Sequence, residues 1–565
     1  MSDAKTKQGW FFRYVWSLDH KTIGIQFLVF SMVMMVFGLA SSLAIRWQLA
    51  WPWTQMPVVG RALFPETGGV PTPEFYTVLF TIHGSVMIFF VVIPLLTGWL
   101  GNYLIPLMIG AGDMAFPRLN ALSFWLMPPA AIAMLAGFWS EGGAASAGWT
   151  AYPPLSTGVT NTAGGAGGQT WWLVSITLSG IASTLGAINY ITTIVKLRAP
   201  GLHWMRLPLT VWALFVAAIL QLAGLPVLTA GGLMQLSDRL LETQFFGAQG
   251  APILWQHLFW FYGHPAVYVV ILPAMGVVSD VLSVHARKGV FGYRPMVYSM
   301  LAIAGLGFLV WGHHMFVSGM NPGIALAFEI STTMIALPSG VKVFNWLATL
   351  WGARIQFRAA LLFGLGFVAL FITGGLSGLW LTSMPVDVYV HDTYVVVGHF
   401  HYIVFGGSIF GLFAAFYHWF PKMTGRMLHE GLGKLHFLGT FLGASGVFLL
   451  MHHVGMAGML RRTADPYVAE GLAHLREPNQ WITWSALFLA AWQLLFFANI
   501  AWSLLAGRKA ASNPWKANSL EWETDSPPGH GNFSRPLVVE AGPYEYQPSR
   551  TEDDNRPQAR TISGP

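Results

Sequence analysis

The sequence predicts an all-α polytopic membrane bundle of about twelve transmembrane helices, and three observations predict it. Of the 565 residues, 54% are hydrophobic and only 10% are charged, with positive mean hydropathy; long uncharged runs in such a chain are bilayer spans and not a soluble core. Runs of crossing length begin near residues 22, 76, 119, 170, 209, 252, 292, 324, 359, 394, 435 and 480. Histidines stand inside several of them, and ionisable side chains within a membrane face the bundle interior and mark a functional path.

In chain order, residues 1–21 form a basic, aromatic lead with Lys5, Lys7, Arg13 and Lys21, lacking the cleavage site of a secretory signal peptide. Residues 22–507 form the membrane domain. The loop after the fourth span carries Lys196, Arg198 and Arg206, that after the sixth Arg287, Lys288 and Arg294, that after the eighth Arg354 and Arg358, and that after the tenth Lys422, Arg426 and Lys434. The loops between are poor in positive charge apart from Arg461 and Arg462, so the positive-inside rule puts both termini in the cytoplasm of a multi-pass protein of the cell's inner (plasma) membrane. The Gly-rich loop around 141–169 and the segment from Pro385 to Asp392 fall on the opposite side. Residues 508–565 turn polar and proline-rich, which predicts a solvated cytoplasmic tail and no second domain.

Composition also excludes functions. The net charge of +6 resides in short loops, where it signals topology and not nucleic-acid binding. No cysteine is present, which removes iron–sulfur ligation by cysteine, covalent c-type haem and a thiolate copper centre from this chain. Any such centre belongs to a partner.

The tenth span carries His399 and His401 with only Phe400 between them. At about 100° per residue the two imidazoles leave the helix roughly 200° apart, so one helix can hold two partners. Imidazole suits copper and haem iron alike. In the sixth span, His264 and Tyr268 are four apart and share a face, putting a phenol beside any metal the imidazole holds. His257 lies near the same face, and spacing does not choose between it and His264. The seventh span has adjacent His313 and His314, which reach one ion together only at a local irregularity. His452 and His453 form a rival pair in the eleventh span, and the residues alone do not rank the two pairs. A low-spin haem needs two axial ligands, and His83 of the second span with one histidine of the tenth supplies them. The eighth span buries Lys342 after Ser331, Thr332, Thr333 and Ser339; it is either a lysine snorkelling to the interface or part of a proton route of hydroxyls and water.

Eight segments, WSLDHKTIG, NYLIPLMIGAGDMAFPRLN, GWTAYPPLS, QHLFWFYGHPAVY, WGHHMF, ALPSGVKVFNWLATLW, HDTYVVVGHFHY and GMLRR, occur in the order found in subunit I of the haem–copper oxygen reductases, and the chain resembles that family from about Trp16 to Leu505. The resemblance implies a terminal respiratory oxidase that reduces dioxygen to water by four electrons with electrons from cytochrome c, coupled to proton translocation. It implies that His83 and His401 ligate a low-spin haem and His399 a high-spin haem, both of haem A type. It assigns the copper to His264, His313 and His314, with Tyr268 joined covalently to the copper-ligating histidine. Arg461 and Arg462 fall where paired arginines meet haem propionates, and His391 and Asp392 where a magnesium ion binds. Lys342, Ser339 and Tyr268 match one proton channel; Asn102, Asp113 and Asn120 match the entrance of another. The implied partners are an oxidase subunit II carrying a copper electron-entry site, further small membrane subunits and membrane lipid.

One departure stands out. Many members have glutamate after the proline of the sixth-span motif, where this chain has Ala266; Tyr262 is the nearby group that could serve instead. A phenol ionises near pH 10, so it would relay a proton by donating and accepting. Three other readings compete: a quinol oxidase with the same core, a nitric oxide reductase relative, against which Tyr268 and Lys342 count, and a non-enzymatic transporter, which would be colourless.

Overall fold

The computed structural model describes residues 9–158, 166–247, 249–546 and 556–561; Lys5, Lys7 and part of the Gly-rich loop lie outside them. Twelve elements build the bundle: α1 His20–Ala50, α2 Pro73–Ile109, α3 Pro117–Trp139, α4 Gly167–Lys196, α5 Leu209–Leu240, α6 Pro252–Ala286, α7 Tyr293–Gly307, α8 Pro322–Leu350, α9 Ala359–Thr382, α10 Tyr394–Thr424, α11 Glu430–Met456 and α12 Ala473–Ala506. Eleven of these are continuous and apolar enough to cross a bilayer. The twelfth, α7, is the short one, and the bundle of about twelve helices that the sequence predicts is otherwise present. α7 stops after 15 residues, about 23 Å of helix against a hydrocarbon core of about 30 Å. The chain then passes through a 3₁₀ turn at Trp311–Met315, and that turn contains His313 and His314.

Local chemistry fixes the helix starts. Asp19 caps α1, its carboxylate accepting from the backbone N–H of Lys21 at 2.9 Å and of Thr22 at 3.2 Å. Thr72 caps α2, with Pro73 at its first position. Asn321 and Thr393 do the same for α8 and α10. Of the eleven long spans, α6 is the most deeply buried and α8 the most exposed. Two helices are wound more loosely than α: Met87–Val92 and Pro94–Trp99 in α2, and Tyr402–Ile409 in α10, are π-helical.

The C-terminal segment departs from the solvated tail that its composition predicts. Trp515, Ala517, Leu520, Trp522, Leu537 and Val539 are buried, and the segment packs across the ends of the helices near the start of α1. Asn532 hydrogen-bonds the ring of His20 and receives the Lys21 ammonium at 2.9 Å. Arg287 donates to the Trp515 carbonyl, Lys422 to those of Ser512 and Thr524, and Arg206 to that of Val539. Basic loop residues thus meet backbone oxygens around these buried apolar side chains, which lets a segment rich in polar residues dock here. A two-stranded antiparallel ribbon, β1 Leu537–Val539 with β2 Ala559–Thr561, completes it.

Candidate metal and porphyrin sites

Three imidazoles converge between α6 and the broken end of α7. His264 Nδ1 is 3.2 Å from His314 Nε2, which is 3.1 Å from His313 Nε2. The 3₁₀ turn brings the adjacent pair onto one point. That turn needs a glycine: a Cβ on Gly312 would come within 2.3 Å of the Phe328 ring. Two of the rings are also held from behind. The Thr332 hydroxyl donates to the Phe328 carbonyl at 2.6 Å, so its oxygen accepts from His313 Nδ1 at 3.0 Å and leaves His313 Nε2 a free lone pair. Trp260 stacks on His314 at 3.8 Å and 8°.

A single hydrogen on His314 Nε2 can serve only one of its two nitrogen neighbours, whereas one cation at the meeting point satisfies all three. Among the described residues this is the one group of three or more such side chains able to share a metal ion. His264 Nε2 is buried without a hydrogen-bond partner, and the Tyr268 ring stands 4.5 Å from the imidazole, centre to centre.

A different arrangement joins α2 and α10. His83 Nδ1 donates to the Gly38 carbonyl at 2.9 Å and His401 Nδ1 to the Val397 carbonyl at 2.8 Å, so each ring keeps Nε2 as a lone pair. The rings are parallel within 8°, with centroids 6.3 Å apart. A metal–imidazole bond is about 2 Å, so one metal bonded to both rings, plus a ring radius on each side, spans nearly that separation. His399, on the other flank of α10, donates through Nδ1 to the Gly374 carbonyl at 2.9 Å and lies 3.2 Å from Ser377 Oγ. It packs so closely on α9 that a Cβ on Gly378 would come within 2.8 Å of its ring.

At the start of α10, Arg461 grips Asp392 through its Nε at 2.6 Å and a second guanidinium nitrogen. Burial alone would raise the Asp392 carboxyl, but Arg461, His391 and Arg462 outweigh it and hold it below the usual range. Arg462 lies 5.8 Å over the Phe80 ring; burial and the neighbouring Arg461 lower it to about 10. The His391 ring is 3.5 Å from Asp387 and 3.8 Å from Asp392.

Lys342 is fully buried, its ammonium has no hydrogen-bond partner, and it lies 5.9 Å from the centre of the Trp346 ring. Trp346 donates to Ser279 Oγ at 2.9 Å. Ser339 precedes Lys342 by one turn of α8. The helix therefore buries this lysine and does not let it snorkel.

Asn102 donates to the Tyr190 hydroxyl at 2.7 Å, while its Oδ1 and both polar atoms of the Asn120 side chain are buried without partners. Asp113 sits in the turn between α2 and α3, where burial raises its carboxyl. Tyr262 is buried between α5 and α6.

Position separates the histidines that spacing left side by side. His257 accepts from Trp311 at 3.3 Å and stays outside the cluster. His452 donates to the Phe448 carbonyl of its own helix and His453 is exposed; neither joins the three. Sequence reasoning missed Trp260, although it stands four residues before His264 and so on the same face. It also missed Arg46, a buried guanidinium inside α1 that bonds Asn479 at 2.8 Å and 3.0 Å.

Fold and site together describe a multi-pass membrane protein built to hold metal centres between its helices. Residues 22–516 match the family described as "Cytochrome C and Quinol oxidase polypeptide I". The chain is 46% identical to cytochrome c oxidase subunit 1 of Thermostichus vulcanus over 96% of this chain and 94% of that one. It is 42% identical to the alternative cytochrome c oxidase subunit 1 of Bradyrhizobium diazoefficiens, over 98% and 93%. Its fold matches that of a haem–copper terminal oxidase dimer solved by cryo-EM, with a TM-score of 0.72 at 19% identity over 86% of this chain and 84% of that one. The chain therefore belongs to the cytochrome c and quinol oxidase subunit I family. It is the catalytic subunit of a haem–copper terminal oxidase, with haem and copper as its cofactors.

Proposed function

We propose that this subunit takes electrons that originate on cytochrome c, reduces dioxygen between His399 and the His264–His313–His314 cluster, and moves protons across the membrane as it does so. The observation that carries the reading is the convergence of three imidazole nitrogens within bonding reach of one ion, reached from one side by a helix with histidines on both flanks. The convergent cluster would hold copper, His83 and His401 would hold a low-spin haem, and His399 would hold a high-spin one, both haems of A type. When bound, those centres supply the one-electron steps that together reduce dioxygen to water.

The protein's own part is positional. Thr332 and Trp260 fix the cluster rings before any ion binds, which removes reorganisation from the reaction. Tyr268 is placed to give up a proton and an electron beside the cluster, and the unpartnered Nε2 of His264 favours the covalent histidine–tyrosine join that the family resemblance implies. Lys342 and Ser339 serve one proton path toward Tyr268; Asp113, Asn102 and Asn120 open a second that ends near Tyr262, where Ala266 leaves no carboxyl. Arg461 and Arg462 offer two cations for haem propionates, and His391 with Asp392 offers a magnesium site to be completed by another subunit.

Because this chain has no cysteine, the copper electron-entry site belongs to a subunit II. Further small subunits and lipid surround the bundle in the plasma membrane, with both termini cytoplasmic. The test is metal and haem analysis of the purified complex with spectra before and after reduction. Two haem irons and one copper in this subunit are expected, with turnover on reduced cytochrome c. Iron in place of that copper, or turnover only with quinol, would overturn the corresponding half of the reading.

A further inference from the structure

α5 is apolar over its middle, and between Thr210 and Thr229 it carries one side chain with an amide or hydroxyl, Gln221. Gln221 is 2% exposed and its Nε2 has no hydrogen-bond partner. A leucine there would pack as well and cost nothing in desolvation, so an unpaired amide in a membrane interior calls for a polar occupant beside it.

Gln221 lines a small internal cavity with Thr97, Ser123, Ser183 and Tyr190. The cavity offers about 20 Å³ to the centres of water molecules, room for one ordered water with several polar neighbours. Two of its lining residues have polar or aromatic neighbours beyond it. The Tyr190 hydroxyl accepts from Asn102 at 2.7 Å and donates to the Thr97 carbonyl at 3.0 Å, which ties the cavity to the polar residues leading from Asp113. One turn along α5 from Gln221, Gly224 lies against the Tyr262 ring, where a Cβ would come within 3.0 Å. Residues three apart share a helix face, so the face that presents Gln221 continues onto Tyr262 about 4.5 Å further along the axis.

We propose that Gln221 is a positioning residue of the proton path that starts at Asp113: in its cavity with Ser123, Ser183 and Tyr190 it holds the water through which protons pass on to Tyr262, at the stage where Ala266 supplies no carboxyl. The amide acts on the water and is not itself ionised. It offers both a donor and an acceptor, which a chain of proton transfers needs if each member is to receive one proton and release another. The inference rests on the reading that Asp113, Asn102 and Asn120 open such a path, and the experiment separates the two.

In the complete oxidase reconstituted in vesicles, proton uptake during a single turnover is followed with a pH dye and internal water by infrared difference spectroscopy, for wild type, Asp113→Asn, Gln221→Leu and Gln221→Glu. Gln221→Leu is expected to slow uptake about tenfold, the effect of losing one hydrogen bond in a buried relay. It should also abolish the infrared band of weakly bonded water, with haem spectra unchanged. Gln221→Glu should restore both. If Gln221→Leu does not assemble with its haems, Gln221→Met, unbranched and close in volume, carries the same expectation. Slow uptake in Asp113→Asn with wild-type uptake and an intact water band in the apolar Gln221 variant would overturn the role of Gln221 alone. Wild-type uptake in Asp113→Asn would overturn the path itself.

Discussion

The His264–His313–His314 cluster and the His83–His401 pair use one kind of side chain toward opposite ends. In the cluster the nitrogens meet at 3.1–3.2 Å, and the rings are braced by neighbours on other elements, Thr332 of α8 and Trp260 of α6. In the pair the rings stand parallel at 6.3 Å, each tied to a backbone carbonyl. A contracted site selects by ligand number and geometry, so it suits a small ion. A site held open by two backbone tethers suits something flat and wide that enters between rings. The lesson is that the tether, more than the imidazole, sets what a buried histidine can hold.

The strongest way to break that comparison is to remove one ring from each site in turn. His313→Ala should lose the copper and with it at least about a thousandfold in turnover, while the low-spin haem spectrum persists. His401→Leu should do the reverse, losing the low-spin spectrum and keeping the copper. Loss of both centres from either variant, measured by metal analysis and absorption, would mean that the two sites are one structural unit.

Tyr268→Phe sharpens the comparison by leaving every imidazole in place. Both metal contents should be unchanged and turnover should fall about a hundredfold, because the ring still packs on His264 but has no proton to give. A smaller effect is expected from Thr332→Val, which keeps the shape and removes the oxygen that accepts from His313 Nδ1. Copper affinity should fall about tenfold, the scale of losing a hydrogen bond behind a metal ligand, with the spectrum attributed to His83 and His401 unaffected. Competition with a copper chelator measures it.

The smallest effect lies far from either site. Glu521 of the C-terminal segment is 1% exposed and accepts from Ser519 at 2.8 Å, and burial pushes its carboxyl up to about 7. A carboxyl raised in the docked state binds its proton more tightly there than when released. Docking is therefore strongest below the ordinary carboxylate range and weakens as pH rises through about 7. Proteolytic cleavage of the segment should accelerate between pH 6 and 8, and Glu521→Gln should flatten that dependence while both metal sites stay loaded.

Both sites were only partly legible in the sequence, which offered the cluster's histidines beside rivals and His83 beside one histidine of the tenth span, for a physical reason. His313 and His314 are neighbours, and adjacency already required a local irregularity before both could face one ion; the 3₁₀ turn is that irregularity and also the reason α7 falls short of a full span. His83 and His401 come from α2 and α10, and no periodicity predicts that two helices so distant in the chain will present their rings in parallel. The buried C-terminal segment was illegible because composition registers its prolines and charges but not the carbonyl oxygens that Arg287, Lys422 and Arg206 find there. Rejection of His257 depended on Trp311, a partner that only the folded chain brings near.

The loosened winding just past His83 and just past His401 has a consequence for anyone who edits this chain. Each wide turn accommodates an additional residue relative to ordinary helical pitch, so the segments before and after it are out of phase as an α-helix would count them. Deleting a single residue between Tyr402 and Ile409 would remove what the wide turn absorbs, so α10 could rewind as ordinary helix with His399 and His401 still facing their own neighbours. The same deletion between Phe410 and Thr424, where the winding is already regular, would turn the helix on one side of it by about 100° relative to the other. A deletion inside the wide turn should therefore cost less than one outside it.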